Sequence, residues 1–243
     1  MAMTSVAFER VAVIGASGGI GAAFVDNLLA RPTLQHLVVT SRTPPAINDA
    51  RVVALRMDPT DEDSVANAVS SVQPKLDAII VAIGTLHGEN YRPEKSWRDL
   101  SADALASVYR VNTIGPALVA KHWLPRLDRE RPNVFAALSA RVGSISDNRL
   151  GGWYAYRASK AALNMVLKSL AIEQARRNKL GAVVGLHPGT VDTDLSKPFQ
   201  RNVPDGKLFT PTYSAERLLA VLSNVTSADS GACFAWDGRK ITP

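Results

Sequence analysis

The sequence predicts a doubly wound α/β fold, in which a parallel sheet is covered by helices on both faces. Three observations carry the prediction: short apolar runs recur along the chain, helix-length segments separate them, and a glycine-rich turn follows the first run. The runs lie at 11–14, 36–40, 52–57, 77–83, 133–138, 182–186 and 232–236. They are continuously apolar rather than alternating, which marks strands buried on both faces, so seven parallel strands are expected. Helical segments are expected near 19–30, 61–72, 97–127, 154–178 and 213–225. A regular alternation with crossovers of helix length leaves few topologies other than a wound parallel sheet. A chain of 243 residues has ample length to bury one core. No repeat, low-complexity tract or linker divides it, so residues 1–243 are expected to form a single domain.

Composition narrows the function. The net charge is +6, with 46% hydrophobic residues, and the pI is about 9.6. The basic residues are scattered. Their densest group, Arg176-Arg177-Asn178-Lys179, closes a helical segment, where cations complement the helix dipole. With no clustered basic face and no base-stacking platform, neither nucleic acid nor membrane is an expected partner. A basic surplus does suit an anionic cofactor. The single Cys233 excludes an internal disulfide and fits a reducing compartment, with packing in an apolar run as its expected role. The first ten residues lack the charged and apolar regions of a signal peptide, and no stretch approaches the roughly 18 apolar residues of a membrane span. A cytoplasmic protein is expected.

The first strand-to-helix junction reads Gly15-Ala-Ser17-Gly18-Gly19-Ile20-Gly21. Glycine here permits a tight turn, close approach to a pyrophosphate and packing of helix on sheet, while the helix N-terminus offers free N–H groups to an anion. The spacing of glycines 15, 19 and 21 differs from the commonest dinucleotide fingerprint, but its place at the first turn of an α/β chain favours a cofactor site. A ribose-binding acid is expected after the second strand of an NAD protein. Here Ser41 and Arg42 stand there, a pair suited to the 2′-phosphate of NADP(H). Asp58, at the end of the third strand, is placed to meet the adenine end, and Thr60 or Asp61 to cap the helix that follows.

Tyr156 and Lys160 are four residues apart in a helical segment, one turn and one face. A neighbouring ammonium favours the phenolate, so the pair reads as an acid whose pKa is drawn down from about 10 toward the working range. Tyr154, six positions before Lys160, is rotated by about 120° and is expected to face the substrate pocket.

With the glycine turn, Asn112 and Tyr156-x-x-x-Lys160 taken together, the chain resembles the short-chain dehydrogenase/reductase family over essentially its whole length. Gly143-Ser-Ile-Ser-Asp-Asn and the run from Gly151 to Asn164 make it most similar to the C-factor-like carbonyl reductases. The resemblance implies a Rossmann domain with strand order 3-2-1-4-5-6-7, assembled as a homodimer or homotetramer. It also implies NADP(H) as cofactor and a small carbonyl or alcohol substrate. Tyr156 would protonate the carbonyl oxygen, and Lys160 would hold the nicotinamide ribose. Asn112 resembles the asparagine that holds a water linking the lysine to solvent. Pro188, Gly189, Val191 and Thr193 resemble the loop that engages the carboxamide.

Two departures from the family pattern stand out. Its Asn-Asn-Ala-Gly motif is Val81-Ala82-Ile83-Gly84 here, so only Gly84 survives. Its carbonyl-polarising serine, counted back three from Gly143, is Ala140. Ser139 is taken as the third catalytic residue that supplies that hydroxyl, with Ser144 or no serine as the alternatives. Losing one such donor costs on the order of a hundredfold in rate. The expected function is therefore an NADPH-dependent carbonyl reductase, with a weakly active NADP(H)-binding signalling protein as the alternative. Residues 189–211 form a long aperiodic stretch read as a substrate lid. Its Phe199, Arg201, Lys207 and Phe209, with Leu86, His87 and Trp153, are expected to make a pocket part apolar and part basic. No metal site is expected, because His87 and His187 have no ligand-spaced partners.

Overall fold

The structure, a computed structural model, describes residues 5–73 and 75–243. Residues 1–4, part of the N-terminal stretch read above for a signal, lie outside it. In chain order the elements are β1 (Arg10–Ile14), α1 (Gly19–Leu29), β2 (His36–Ser41), β3 (Val52–Arg56), α2 (Glu62–Ser70) and β4 (Ala78–Val81). Then come α3 (Ala102–Tyr109), α4 (Gly115–Trp123), β5 (Asn133–Leu138), α5 (Tyr154–Arg177) and β6 (Gly181–His187). Last are β7 (Thr190–Val191), β8 (Leu208–Phe209), α6 (Pro211–Asn224), β9 (Cys233–Ala235) and β10 (Lys240–Ile241).

The main sheet runs β10-β9-β6-β5-β4-β1-β2-β3. From β3 to β9 all neighbours are parallel, which agrees with the expected seven strands and their order. An eighth strand, β10, corrects the count: it pairs antiparallel with β9. Its signal was Asp237-Gly238, a turn dipeptide whose glycine adopts φ +84°. The parallel pair β7 and β8 forms a second small sheet.

Alternation within each strand builds two cores. Val11 and Val13 of β1 face the side of α1 and α6, with Phe24, Leu28 and Leu218. Ala12 and Ile14 face the opposite side, with Val65, Trp123 and Leu163 from α2, α4 and α5. A fully buried side chain of this size contributes about 1.5–3 kcal/mol. Strand β3 departs from the expectation of burial on both faces, because it lies at the sheet edge and is largely exposed.

The helix expected over 97–127 is broken. A 3-10 turn spans Trp97–Asp99, Leu100 is extended, and Ser101 starts α3 by accepting a bond from Ala104 N–H. A π turn over Arg110–Ile114 then joins α3 to α4. The cause is Pro116. Lacking an N–H, it cannot bond the Asn112 carbonyl four residues back and would clash with it, and the wider turn relieves this. No helix among the described residues is long and apolar enough to cross a membrane.

Candidate active site

The glycine turn hangs from the end of β2, where the Thr40 carbonyl accepts bonds from Gly15 N–H (2.8 Å) and Ala16 N–H (2.9 Å). Gly15 has φ +89°, and a Cβ there would lie 2.8 Å from the Ala82 carbonyl oxygen. At Gly21 a Cβ would fall 2.1 Å from the Gly15 carbonyl oxygen. These two glycines are obligatory for the turn itself. Helix α1, which follows, has no side-chain cap and no acid in its first turn. Helix α2 shows the contrast, with Asp61 as cap and Glu62 and Asp63 in its first turn. The N–H groups of Gly19, Ile20 and Gly21 are therefore left for an anion from outside the chain. Ser17 and Gly18 lie exposed on the turn. Opposite them, Thr193 sits so close that a Cβ on Gly19 would be 2.7 Å from its methyl group. The turn and the loop after β6 thus approach each other closely.

At the end of β2, Arg42 is exposed while Ser41 is buried, and the Ser41 hydroxyl donates to the Thr43 carbonyl (2.6 Å). In the protein alone its proton is engaged within the chain. The Asp58 carboxylate accepts from the N–H (2.9 Å) and hydroxyl (2.8 Å) of Thr60. Burial opposes its ionisation, but these bonds, with Arg42 and Arg110 nearby, hold it below the usual range. Arg110 is a second cation at this corner, and nothing in its sequence neighbourhood announced it.

Tyr156 and Lys160 stand on one face of α5, with the ammonium 5.9 Å from the tyrosine ring centre. They share a cavity of about 340 Å³ with Gly18, Gly84, Ala140 and Gly189. Lys160 is 2% exposed and donates to the Leu138 carbonyl (2.7 Å). Burial lowers its pKa to about 8. The Tyr156 phenol is pushed the other way, up to about 12, by desolvation. In the protein alone the direction is therefore opposite to the expected one, and loss of water is its cause.

Asn112 is fully buried, and its amide is spoken for. Its Oδ1 accepts from Thr85 N–H (2.8 Å), and its Nδ2 donates to the Thr85 carbonyl (2.9 Å) and to Ser159 Oγ (3.0 Å). Ser159 Oγ in turn donates to the Tyr156 carbonyl (2.8 Å), and Thr113 Oγ1 bonds the Ser159 carbonyl (2.8 Å). The π turn thus ties the Tyr156 turn of α5 to the chain leaving β4. A Cβ on Gly84 would lie 3.6 Å from both Asn112 Oδ1 and Lys160 Nζ.

Neither candidate serine offers a free hydroxyl to a carbonyl. Ser139 is 3% exposed, and its Oγ donates to Asn164 Oδ1 (2.6 Å). Ser139 also lines the cavity, and in the protein alone its proton is engaged by Asn164. Ser144 Oγ lies 3.3 Å from the Pro243 carbonyl and accepts from Asp147 N–H. Ala140 faces the cavity in the family slot. Gly143 makes this turn possible, since a Cβ there would lie 2.8 Å from Lys160 Cβ.

Residues 189–211 hold β7, a 3-10 turn (Lys197–Asn202) and β8. Phe199 packs edge-on against Trp153 (5.2 Å) and near His87 (5.9 Å). Leu86, Trp153, Val191 and Phe199 line the cavity. Arg201 and Lys207 do not. They are exposed, so the expected basic half of the pocket is absent and the cation at its rim is Arg141, paired with Asp147 (2.6 Å). Phe209 packs instead on Trp236 (4.6 Å) and Tyr213 (5.1 Å). Tyr154 does not line the cavity, and Trp153 takes the place expected for it. His187 also lines it, with Nδ1 buried and unpartnered, and burial with Arg141 nearby lowers its pKa to about 4 despite Asp237. Cys233 is half-buried rather than packed away. Burial raises its pKa to about 11, against the Ser139 hydroxyl and the Lys160 ammonium. Among the described residues no group of His, Cys, Asp and Glu is arranged to hold a metal.

Comparison with known proteins gives a consistent result. A family model described as short chain dehydrogenase matches residues 9–204. A 1-hydroxy-2-glutathionyl-2-methyl-3-butene dehydrogenase from a Rhodococcus species is 33% identical over 75% of this chain and 76% of its own. The C-signal protein of Myxococcus xanthus is 34% identical over 59% of this chain and 81% of its own. Among solved structures, the NADPH-bound carbonyl reductase from chicken fatty liver superposes with a TM-score of 0.85 at 27% identity, covering 100% of this chain and 97% of that one.

Proposed function

We propose that this chain, which belongs to the short chain dehydrogenase family of oxidoreductases, reduces a ketone or aldehyde with NADPH. The observation that carries the reading is the meeting of Tyr156 and Lys160 with the uncapped glycine turn in one cavity. Bound there, NADPH would supply the hydride. The chain supplies the rest. Gly15, Gly18, Gly19, Ile20 and Gly21 hold the pyrophosphate, and Arg42 with Arg110 attracts the 2′-phosphate. Pro188, Gly189, Val191 and Thr193 bracket the nicotinamide side. The Tyr156 phenol gives its proton to the carbonyl oxygen, and Lys160 stabilises the phenolate left behind. Asn112 holds this turn of α5 in register. The similarity to an NADPH-bound carbonyl reductase supports this cofactor and substrate class.

The proposal extends to organisation. The chain acts as a single domain in the cytoplasm, with residues 189–211 as a lid over the carbonyl. Two copies or four associate through α4 and α5. Support comes from an apolar stripe on α5, where Ala158, Met165 (66% exposed) and Ile172 (53% exposed) recur every seven residues. Oxidation of NADPH over a panel of quinones, diketones and aldehydes tests the activity. Tyr156→Phe should abolish turnover with NADPH binding intact, and a variant that keeps its turnover would refute the assignment. A second reading, a weakly active NADP(H)-binding signalling protein, is favoured by Ala140 in the donor slot and by the similarity to C-signal. Absence of turnover across the panel, with tight NADPH binding, would favour it.

A further inference from the structure

We infer that Glu94 is a positioning residue for the reaction, acting through Trp153 and the first turn of α5; this rests on the reductase reading above. Glu94 lies far from the glycine turn in sequence, on the segment between β4 and α3, and is 3% exposed. Both carboxylate oxygens face Ala155 N–H, at 3.2 and 3.3 Å. Its backbone carbonyl accepts from Trp153 N–H at 2.6 Å. One residue thus binds two of the free N–H groups, those of Trp153 and Ala155, at the start of the helix that carries Tyr156 and Lys160. A buried carboxylate is tolerated there because the helix N-terminus is positive.

The backbone it holds is unusual. Gly151, Gly152 and Trp153 have φ of +64°, +64° and +51°. A bulky residue avoids the left-handed region and stays there only when its surroundings insist. The Arg157 side chain braces the same turn from the other side, donating to the carbonyls of Gly151 (3.2 Å) and Gly152 (3.0 Å). The consequence is the direction of the indole. Trp153 is set edge-on to Tyr156 at 6.3 Å and to Phe199 of the 189–211 segment at 5.2 Å. It forms the wall between the proton donor and the lid. Glu94 touches no reacting atom, yet it fixes both the phenol and the surface against which a carbonyl is oriented.

The test compares Glu94→Ala and Glu94→Gln in the full chain. One readout is deuterium exchange at the amides of residues 153–157, and the other is kcat and KM for a carbonyl beside the NADPH Kd. Glutamine still accepts from Ala155 N–H, whereas alanine does not. For Glu94→Ala the expected result is faster exchange confined to this turn and a loss of about tenfold in kcat/KM, since small misplacements of reacting groups cost one to two orders of magnitude. NADPH affinity should be unchanged, and Glu94→Gln should recover most of the rate and the protection. Wild-type exchange and kcat/KM in Glu94→Ala would overturn the inference. So would an equal loss of carbonyl turnover and NADPH affinity in both variants, the mark of general destabilisation. If the unsubstituted protein turned over no carbonyl, the reductase reading would fall, and the exchange arm alone would decide: equal protection in all three proteins would overturn the role of Glu94.

Discussion

Replacing Lys160 with Met should make the protein more stable while removing its activity. Lys160 is a buried amine whose pKa falls from 10.5 to about 8. At about 1.4 kcal/mol per pH unit, holding it charged at pH 7 costs on the order of 3 kcal/mol of stability. Methionine of similar length fills the space without the charge. It also leaves the Leu138 carbonyl without its 2.7 Å partner, at a cost of about 1 kcal/mol or more. A net gain of about 1–2 kcal/mol remains, which for a chain of this size is a rise of about 5 °C in Tm. The sign follows from linkage. A lysine whose folded pKa is depressed opposes folding fully below pH 8 and progressively less as pH rises from about 8 toward 10.5, because the unfolded chain binds the extra proton across that window. The gain in Lys160→Met should therefore shrink by about 1 kcal/mol between pH 7 and pH 9. Thermal melts of both proteins at the two pH values provide the assay. An unchanged or lower Tm at pH 7, or a gain that does not shrink at pH 9, would refute the reasoning.

Three further outcomes are expected. Arg42→Asp should reverse a preference for NADPH over NADH, read by fluorescence titration, with an acid then facing the ribose; equal affinity of the unmodified protein for both cofactors would contradict the reading. Ala140→Ser should raise kcat by about tenfold or more, because a donor enters the vacant slot, whereas Ser139→Ala should change it little since that hydroxyl already serves Asn164; the reverse pattern would reinstate Ser139. Met165→Arg, a charge set into the apolar stripe of α5, should yield monomers by light scattering at micromolar concentration, and an unaltered oligomer would move the interface elsewhere.

What the sequence determined by itself was whatever depends on local periodicity and local sterics. Seven apolar runs became seven parallel strands in the expected order, and for the strands inside the sheet the reason is that burial on both faces demands apolar residues throughout. Glycines 15 and 21 could be read as a phosphate-type turn because no other residue fits where their Cβ atoms would fall. Tyr156 and Lys160 share a face because four residues make a turn. The tertiary structure alone decided which groups are free to act. Ser139 looked available as text, but in the protein alone it gives its proton to a partner that packing brings near, Asn164 on α5. The direction of the Tyr156 pKa depended on how much water the cavity removes, which spacing does not encode. No sequence motif marks Glu94, and only the fold brings it to Ala155, 61 residues along the chain, at the N-terminus of α5. Hydrogen-bond partnership and desolvation are properties of neighbours in space, and in a wound sheet those neighbours come from strands and loops far apart in sequence.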